Sequence, residues 1–150
     1  MRRFVSRDSK KDFYLLYTLV FGVIAGFIYY QFAGNGKSLV WSHDGIPQHL
    51  NSLAYYGRYL REVLHTIFVE HKLELPMWDM NIGYGSDILT TLHYYVIGDP
   101  LTLLSVFVPA DKTEVLYEVL IFLRIYLAGI SFSVFCFIIR IRSRRRLWER

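Results

Sequence analysis

At 150 residues the chain has room for one domain at most. Its 53% hydrophobic and 17% aromatic content, with a mean hydropathy of +0.26, place it among membrane proteins. The net charge of +4 does not mark a nucleic-acid binder: eleven of the 17 Lys/Arg lie at the two ends, and Gly34–Glu114 holds nine acids against five bases.

Arg2, Arg3, Arg7, Lys10 and Lys11 form a basic tail, 1–12, ahead of an apolar stretch, 13–33, broken only by Gln31. That stretch has the ~20 residues an α-helix needs to cross the hydrocarbon layer. It exceeds the apolar region of a secretory signal, and Phe32–Gly36 has no A-x-A cleavage pattern, so it reads as an uncleaved signal anchor. Gly22 and Gly26 are spaced to let another helix approach closely.

A polar turn at Gly34–Lys37 opens the segment 34–114, and Trp41 suits a membrane interface. Over 48–69, Leu50, Leu53, Gly57, Leu60, Leu64 and Ile67 recur on one helical face while Asn51, Tyr55, Arg58, Glu62 and His65 share another. This amphipathic helix is too polar to cross the bilayer and suits its outer surface. The run from Leu75 to Asp87 reads as an irregular, Pro- and Gly-punctuated loop. Ile88–Pro109 is apolar, but Asp99-Pro100 at its centre and His93 argue against a crossing, as does the positive-inside bias. A broken interfacial or re-entrant pair over 88–107 is predicted instead. The second span, 115–139, carries Glu118 and Arg124, and six arginines follow it in the tail 140–150. Basic flanks stay on the cytoplasmic side, so both termini are expected inside and 34–114 outside. The fold class is therefore an all-α membrane protein with two transmembrane helices flanking an extracytoplasmic segment.

Asp44, just before the amphipathic helix, reads either as an N-cap or as a general base at the membrane surface, two compatible roles. Asp79, Asn81 and Asp87 alternate with Gly83 and Gly85, but the twelfth position from Asp79 is Thr90, so a calcium loop fails. A glycine-flexed loop near a sugar and plain structural turns both remain. The histidines show no H-x-x-x-H pair, and the one cysteine, Cys136, lies within the second span, so no metal site is expected from them. Arg124 either snorkels to the interface or meets a phosphate in the outer bilayer.

Taken together, Asp44-Gly45-x-x-Gln48, Pro76-x-Trp78-Asp79, Gly83-x-Gly85, Tyr94-Tyr95 with Asp99-Pro100, and Leu123-Arg124-x-Tyr126-Leu127-Ala128-Gly129 resemble the N-terminal part of the YfhO family of bacterial membrane proteins. That family is similar to the multi-spanning GT-C glycosyltransferases. The resemblance implies transfer of a sugar from a polyprenyl-phosphate carrier, as donor substrate, to an envelope polymer such as lipoteichoic acid at the outer face of the plasma membrane. Asp44 maps onto the first-loop acid and is implied as base in an inverting displacement. By position rather than by motif, Gln48 is expected to orient sugar or acceptor hydroxyls and Arg58 or Arg61 to offset phosphate charge, with Asp79, Asp87 and Arg124 as further substrate contacts. GT-C enzymes have many more spans, so the chain is expected to be an N-terminal piece, inactive alone and paired with further transmembrane helices. The alternatives are a non-catalytic accessory or assembly module, pairing through Gly22/Gly26 and Ala128/Gly129, and a transporter component.

Overall fold

The computed structural model describes residues 7–146, with side chains from Lys10 to Ile139; of the basic tails expected at 1–12 and 140–150, the parts 1–6 and 147–150 lie outside the described residues. Among the described residues the fold is all-α apart from one two-stranded ladder. The chain divides into two compact bodies, where length alone left room for one: Met1–Leu39 with Phe122–Arg150, and Val40–Ile121.

The first body pairs helix α1 (Arg7–Ala33) with the C-terminal part of helix α4 (Thr113–Arg146). Gly36, at φ +63, ends α1 in a left-handed turn: Lys37 N–H reaches the Phe32 carbonyl at 2.9 Å and Gly36 N–H that of Ala33 at 3.0 Å. Phe13 meets Phe137, Tyr14 meets Ser133, and Tyr17 and Phe21 meet Tyr126, so the two helices run antiparallel. Hydroxyls join them. Tyr17 Oη donates to the Tyr126 carbonyl (3.0 Å), Thr18 Oγ1 and Tyr126 Oη lie 2.8 Å apart, and Ser133 Oγ donates to Tyr14 Oη (3.1 Å). Between apolar helices such bonds contribute about 0.6–2 kcal/mol each. Gly129 makes room for this pairing, since a Cβ there would lie 2.8 Å from the Tyr17 ring. Gly129 therefore packs within the chain, whereas Gly22 and Gly26 have nothing within 4 Å.

Lys10–Ala33 and Ala110–Ile139 are long and apolar enough to cross a membrane, with 0% and 6% of their apolar windows buried. A core helix of a water-soluble protein would be mostly buried; these present Leu, Val, Ile and Phe outward along their length.

The second body is built on helix α2 (Asn51–Phe68), entered through a π-helical stretch, Gly45–Leu50. The apolar face of α2 is covered: Leu53, Tyr56, Gly57 and Val63 are buried, chiefly against the 3₁₀ helix Pro100–Phe107. Gly57 is the closest point, where a Cβ would stand 2.7 Å from the Ser105 carbonyl oxygen. One turn on, Arg61 Nη1 donates to the carbonyls of Ser105 (3.0 Å), Val106 (3.3 Å) and Val108 (2.8 Å), closing the end of that 3₁₀ helix. The core is completed by Ile88, Leu92 and Val96 from helix α3 (Ile88–Leu92) and a second π-helical stretch (His93–Ile97), with Leu116 and Leu120 from the first turns of α4.

The apolar run 88–107 is broken at Gly98–Asp99. Asp99 Oδ1 accepts from Leu101 N–H (2.9 Å), and buried Thr102 Oγ1 donates to the carbonyls of Val96 and Asp99, both at 2.6 Å. Asp99 thus caps the helix that Pro100 opens, and the pair costs the fold nothing because both act at a helix start.

Gly57→Ala is expected to destabilise the chain by about 1–3 kcal/mol, because its methyl meets a backbone carbonyl that cannot yield locally. Gly22→Ala, into open space, is expected to be neutral or stabilising. Denaturant melts of the detergent-solubilised protein compare the two.

Candidate functional site

The polar face of the helix that begins at Gly45 carries two clusters, about two turns or ~10 Å apart along its axis. The first joins the two π-helical stretches, which touch each other. Such turns are rare and occur frequently at functional sites. In the first stretch the Asp44 carbonyl accepts from both Gln48 and His49 N–H at 3.2 Å, and buried Gly45 packs against Val40 and Trp41. Widening the turn in this way shifts Gln48 toward the second stretch. Tyr95 Oη, from that stretch, donates to Gln48 Oε1 at 3.0 Å, and Gln48 Nε2 donates to Asp44 Oδ1 at 3.1 Å. His49 lies edge-on to Tyr95, with ring centroids 5.2 Å apart, and Tyr94 stands 75% exposed beside it. The result is an exposed carboxylate aimed by an amide, whose own orientation is fixed by a phenol.

Asp44 stands at the N-cap position that the sequence favoured, and its carbonyl accepts the first helical N–H bonds, but its side chain does not cap. The residue already has helical dihedrals (φ −93, ψ −22), and its carboxylate turns to Gln48 instead.

The second cluster ties α2 to the loop. Strands β1 (Trp78–Asp79) and β2 (Ser86–Asp87) pair antiparallel, Trp78 opposite Asp87 and Asp79 opposite Ser86. Tyr55 Oη donates to Asp79 Oδ2 at 2.6 Å, while Asn81 donates to Oδ1 from its backbone (2.8 Å) and its amide (2.9 Å). The Tyr55 and Asn81 hydrogen bonds, with the nearby charge of Arg58, hold the Asp79 carboxyl below its ordinary range. Partial burial, then the hydrogen bond to Asp79, push the Tyr55 phenol up. Arg58 lies over the Tyr55 ring, 5.9 Å from its centroid.

The remaining residues go elsewhere. Asp87 Oδ1 accepts from Thr90 N–H at 2.7 Å and caps α3. Arg61 is engaged with the carbonyls named above. Arg124 lies on α4 in the first body, while the other six candidates belong to the second. No group of three or more His, Cys, Asp or Glu placed to hold a metal ion occurs among the described residues. Sequence reasoning passed over Tyr55 and Tyr95 as partners of Asp79 and Gln48. The signal for Tyr55 was its place seven residues after Gln48, on the same helical face.

Among protein-family models, that of the bacterial membrane protein YfhO matches residues 17–147. No curated protein and no solved structure matches the chain.

Asp79 is expected to titrate below an ordinary aspartate, and Tyr55→Phe to move that titration upward. Because the folded-state value is the depressed one, the link between α2 and the loop holds above the unfolded carboxyl range and is lost as pH falls through the folded value. Side-chain carboxyl NMR of the micelle-bound chain reads both.

Proposed function

The chain belongs to the YfhO family of bacterial membrane proteins, and from that premise we propose that it supplies the first outer segment of a membrane glycosyltransferase. In this reading both termini are cytoplasmic, and the 34–114 segment faces outward with its acidic excess. The donor is a polyprenyl-phosphate-linked sugar and the acceptor an envelope polymer such as lipoteichoic acid.

The observation that carries the proposal is the aimed carboxylate. Asp44 takes the proton of an acceptor hydroxyl, the hydroxyl oxygen forms its bond to the anomeric carbon from the opposite face, and the sugar–phosphate bond breaks with its electron pair leaving on the lipid phosphate. The configuration inverts. Asp44 suits the base because it is exposed and held at one oxygen by Gln48, which leaves the other oxygen to face substrate. Tyr95 is the positioning residue that keeps the Gln48 amide donor toward the carboxylate. Of the cations, Arg58 is the better candidate for the leaving phosphate, since its guanidinium is exposed where that of Arg61 is engaged with backbone. Asp79 serves by locking the loop rather than by taking protons.

One observation favours a second reading, a non-catalytic accessory or assembly module. The Gly22/Gly26 face of α1 is left open, with nothing within 4 Å of either glycine, so it suits close approach by another transmembrane helix.

In bacteria whose envelope glycosylation depends on this gene, Asp44→Asn is expected to lower transfer by about 10²–10⁴-fold, the usual contribution of a general base, with membrane insertion intact. Tyr95→Phe is expected to cost about fivefold, the worth of one neutral hydrogen bond. Normal glycosylation in the Asp44 variant, together with loss of helix association in Gly26→Leu, would decide for the module.

A further inference from the structure

The chain between α2 and the β-ladder has a regularity that neither candidate cluster uses. His71, at φ +56, turns the chain sharply after α2, and Lys72 N–H returns to the Thr66 carbonyl at 3.1 Å. At the other end, Ile88 N–H reaches the Met77 carbonyl at 2.9 Å, next to the paired residues Trp78 and Asp87. Between these ends the stretch 72–77 forms neither helix nor ladder, and apolar and polar residues alternate along it. A two-residue period of this kind is the pattern that an extended chain sorts into two edges, Leu73, Leu75 and Met77 on one and Lys72 and Glu74 on the other. Leu73, Leu75, Met77, Trp78 and Met80 are between 44% and 80% exposed. The Trp78 indole is nonetheless held: its Nε1 donates to Met80 Sδ at 3.3 Å, and it lies so close to Gly85 that a Cβ there would come within 3.1 Å of Nε1.

Five apolar side chains exposed within eight residues, between two pinned ends, form a patch of the kind that marks an interaction site. The structure narrows what covers it. An added β-strand is disfavoured, because Pro76 removes a backbone donor from the middle of the stretch. A bilayer is favoured by the body that holds the strip. That body packs Leu116 and Leu120 into its core, and both belong to the apolar span Ala110–Ile139, so it is built onto the opening turns of a membrane helix. On the same turns Val115 and Val119 are 60% and 52% exposed, a continuous start to a lipid-facing surface. Leu and Met side chains with one oriented Trp, backed by Lys72 and Glu74, are the composition of an interfacial anchor. The amphipathic helix cannot fill that role with its buried face, since Leu53, Tyr56 and Val63 are used in the core.

We propose that Leu73–Met80 is a lipid-interface anchor, with Leu73, Leu75 and Met77 seated among headgroups and upper acyl chains, Lys72 and Glu74 turned to water, and the Trp78 indole at the level of the headgroups. The inference is independent of any sugar chemistry.

The test uses the full 150-residue chain, with Cys136→Ala, in nanodiscs of phosphatidylglycerol and phosphatidylethanolamine. Single cysteines placed by Lys72→Cys, Leu73→Cys, Glu74→Cys, Leu75→Cys and Met77→Cys carry a nitroxide, and collision with oxygen and with a water-soluble nickel chelate is measured. Expected is a two-residue oscillation: oxygen favoured over nickel by several-fold at 73, 75 and 77, and the reverse at 72 and 74. High nickel accessibility at all five positions would overturn the anchor, and so would exclusion of both reagents at 73, 75 and 77, the mark of a protein cover. A measurement without the labels checks the same claim: brominated acyl chains are expected to quench the emission of the unlabelled chain more than that of Trp78→Phe. Equal fractional quenching would count against it.

Discussion

The approach of α2 to the 3₁₀ helix Pro100–Phe107 is the constraint on which the second body depends. It is possible only because Gly57 has no side chain, which lets the Ser105 backbone come within contact of the helix. The closeness leaves Ser105 Oγ buried with no hydrogen-bond partner, an unfavourable burial that the tight packing around it must outweigh. Arg61 then ties the same carbonyl, and two beyond it, to the next turn of α2. Once these two elements are fixed, the chain between them has little choice. The break at Gly98–Asp99 is clamped by Thr102, the second π-helical stretch lies against the first, and Tyr95 comes within reach of Gln48.

Two carboxylates on the polar side of this body have opposite fates, and the difference is geometric. Asp79 accepts three hydrogen bonds, from Tyr55 and Asn81, and so is stabilised as the anion and poorly suited to take up protons. Asp44 is held by one amide and is otherwise open. A carboxylate that organises a loop and one that is proposed to meet substrate need opposite surroundings, and the two clusters offer these along one helix. The family membership makes the chain a bacterial membrane protein; the assignment of sugar chemistry to Asp44 is the reading that this division supports.

What the sequence disclosed, and what it concealed, follows from the distance over which each feature is determined. The two apolar helices, the polar–apolar division of residues 48–69 and the interruption at Asp99-Pro100 are local patterns, and each is readable from spacing. Asp87 was expected to contact substrate, although its capping of α3 is equally local, the Thr90 N–H it accepts from lying three residues on. Arg61 was not readable, because its acceptors lie 44 to 47 residues away and only the fold brings them together. Tyr55 and Asp79, 24 residues apart, are the same case. Asp44 misled for another reason. Asp before Pro in a helix start is an N-cap signature, but the chain opens with a wider π-helical turn, and a change of helix type cannot be inferred from capping preferences.

The bridge from Tyr95 to Asp44 has a further consequence. An amide passes orientation but not protons: Gln48 offers no basic nitrogen, so whatever hydrogen the carboxylate collects has no internal wire along which to drain. If Asp44 is the base proposed above, its proton goes directly to bulk water or dissolved buffer, to which the residue is exposed. In that reading the base resets at the pace of its surroundings.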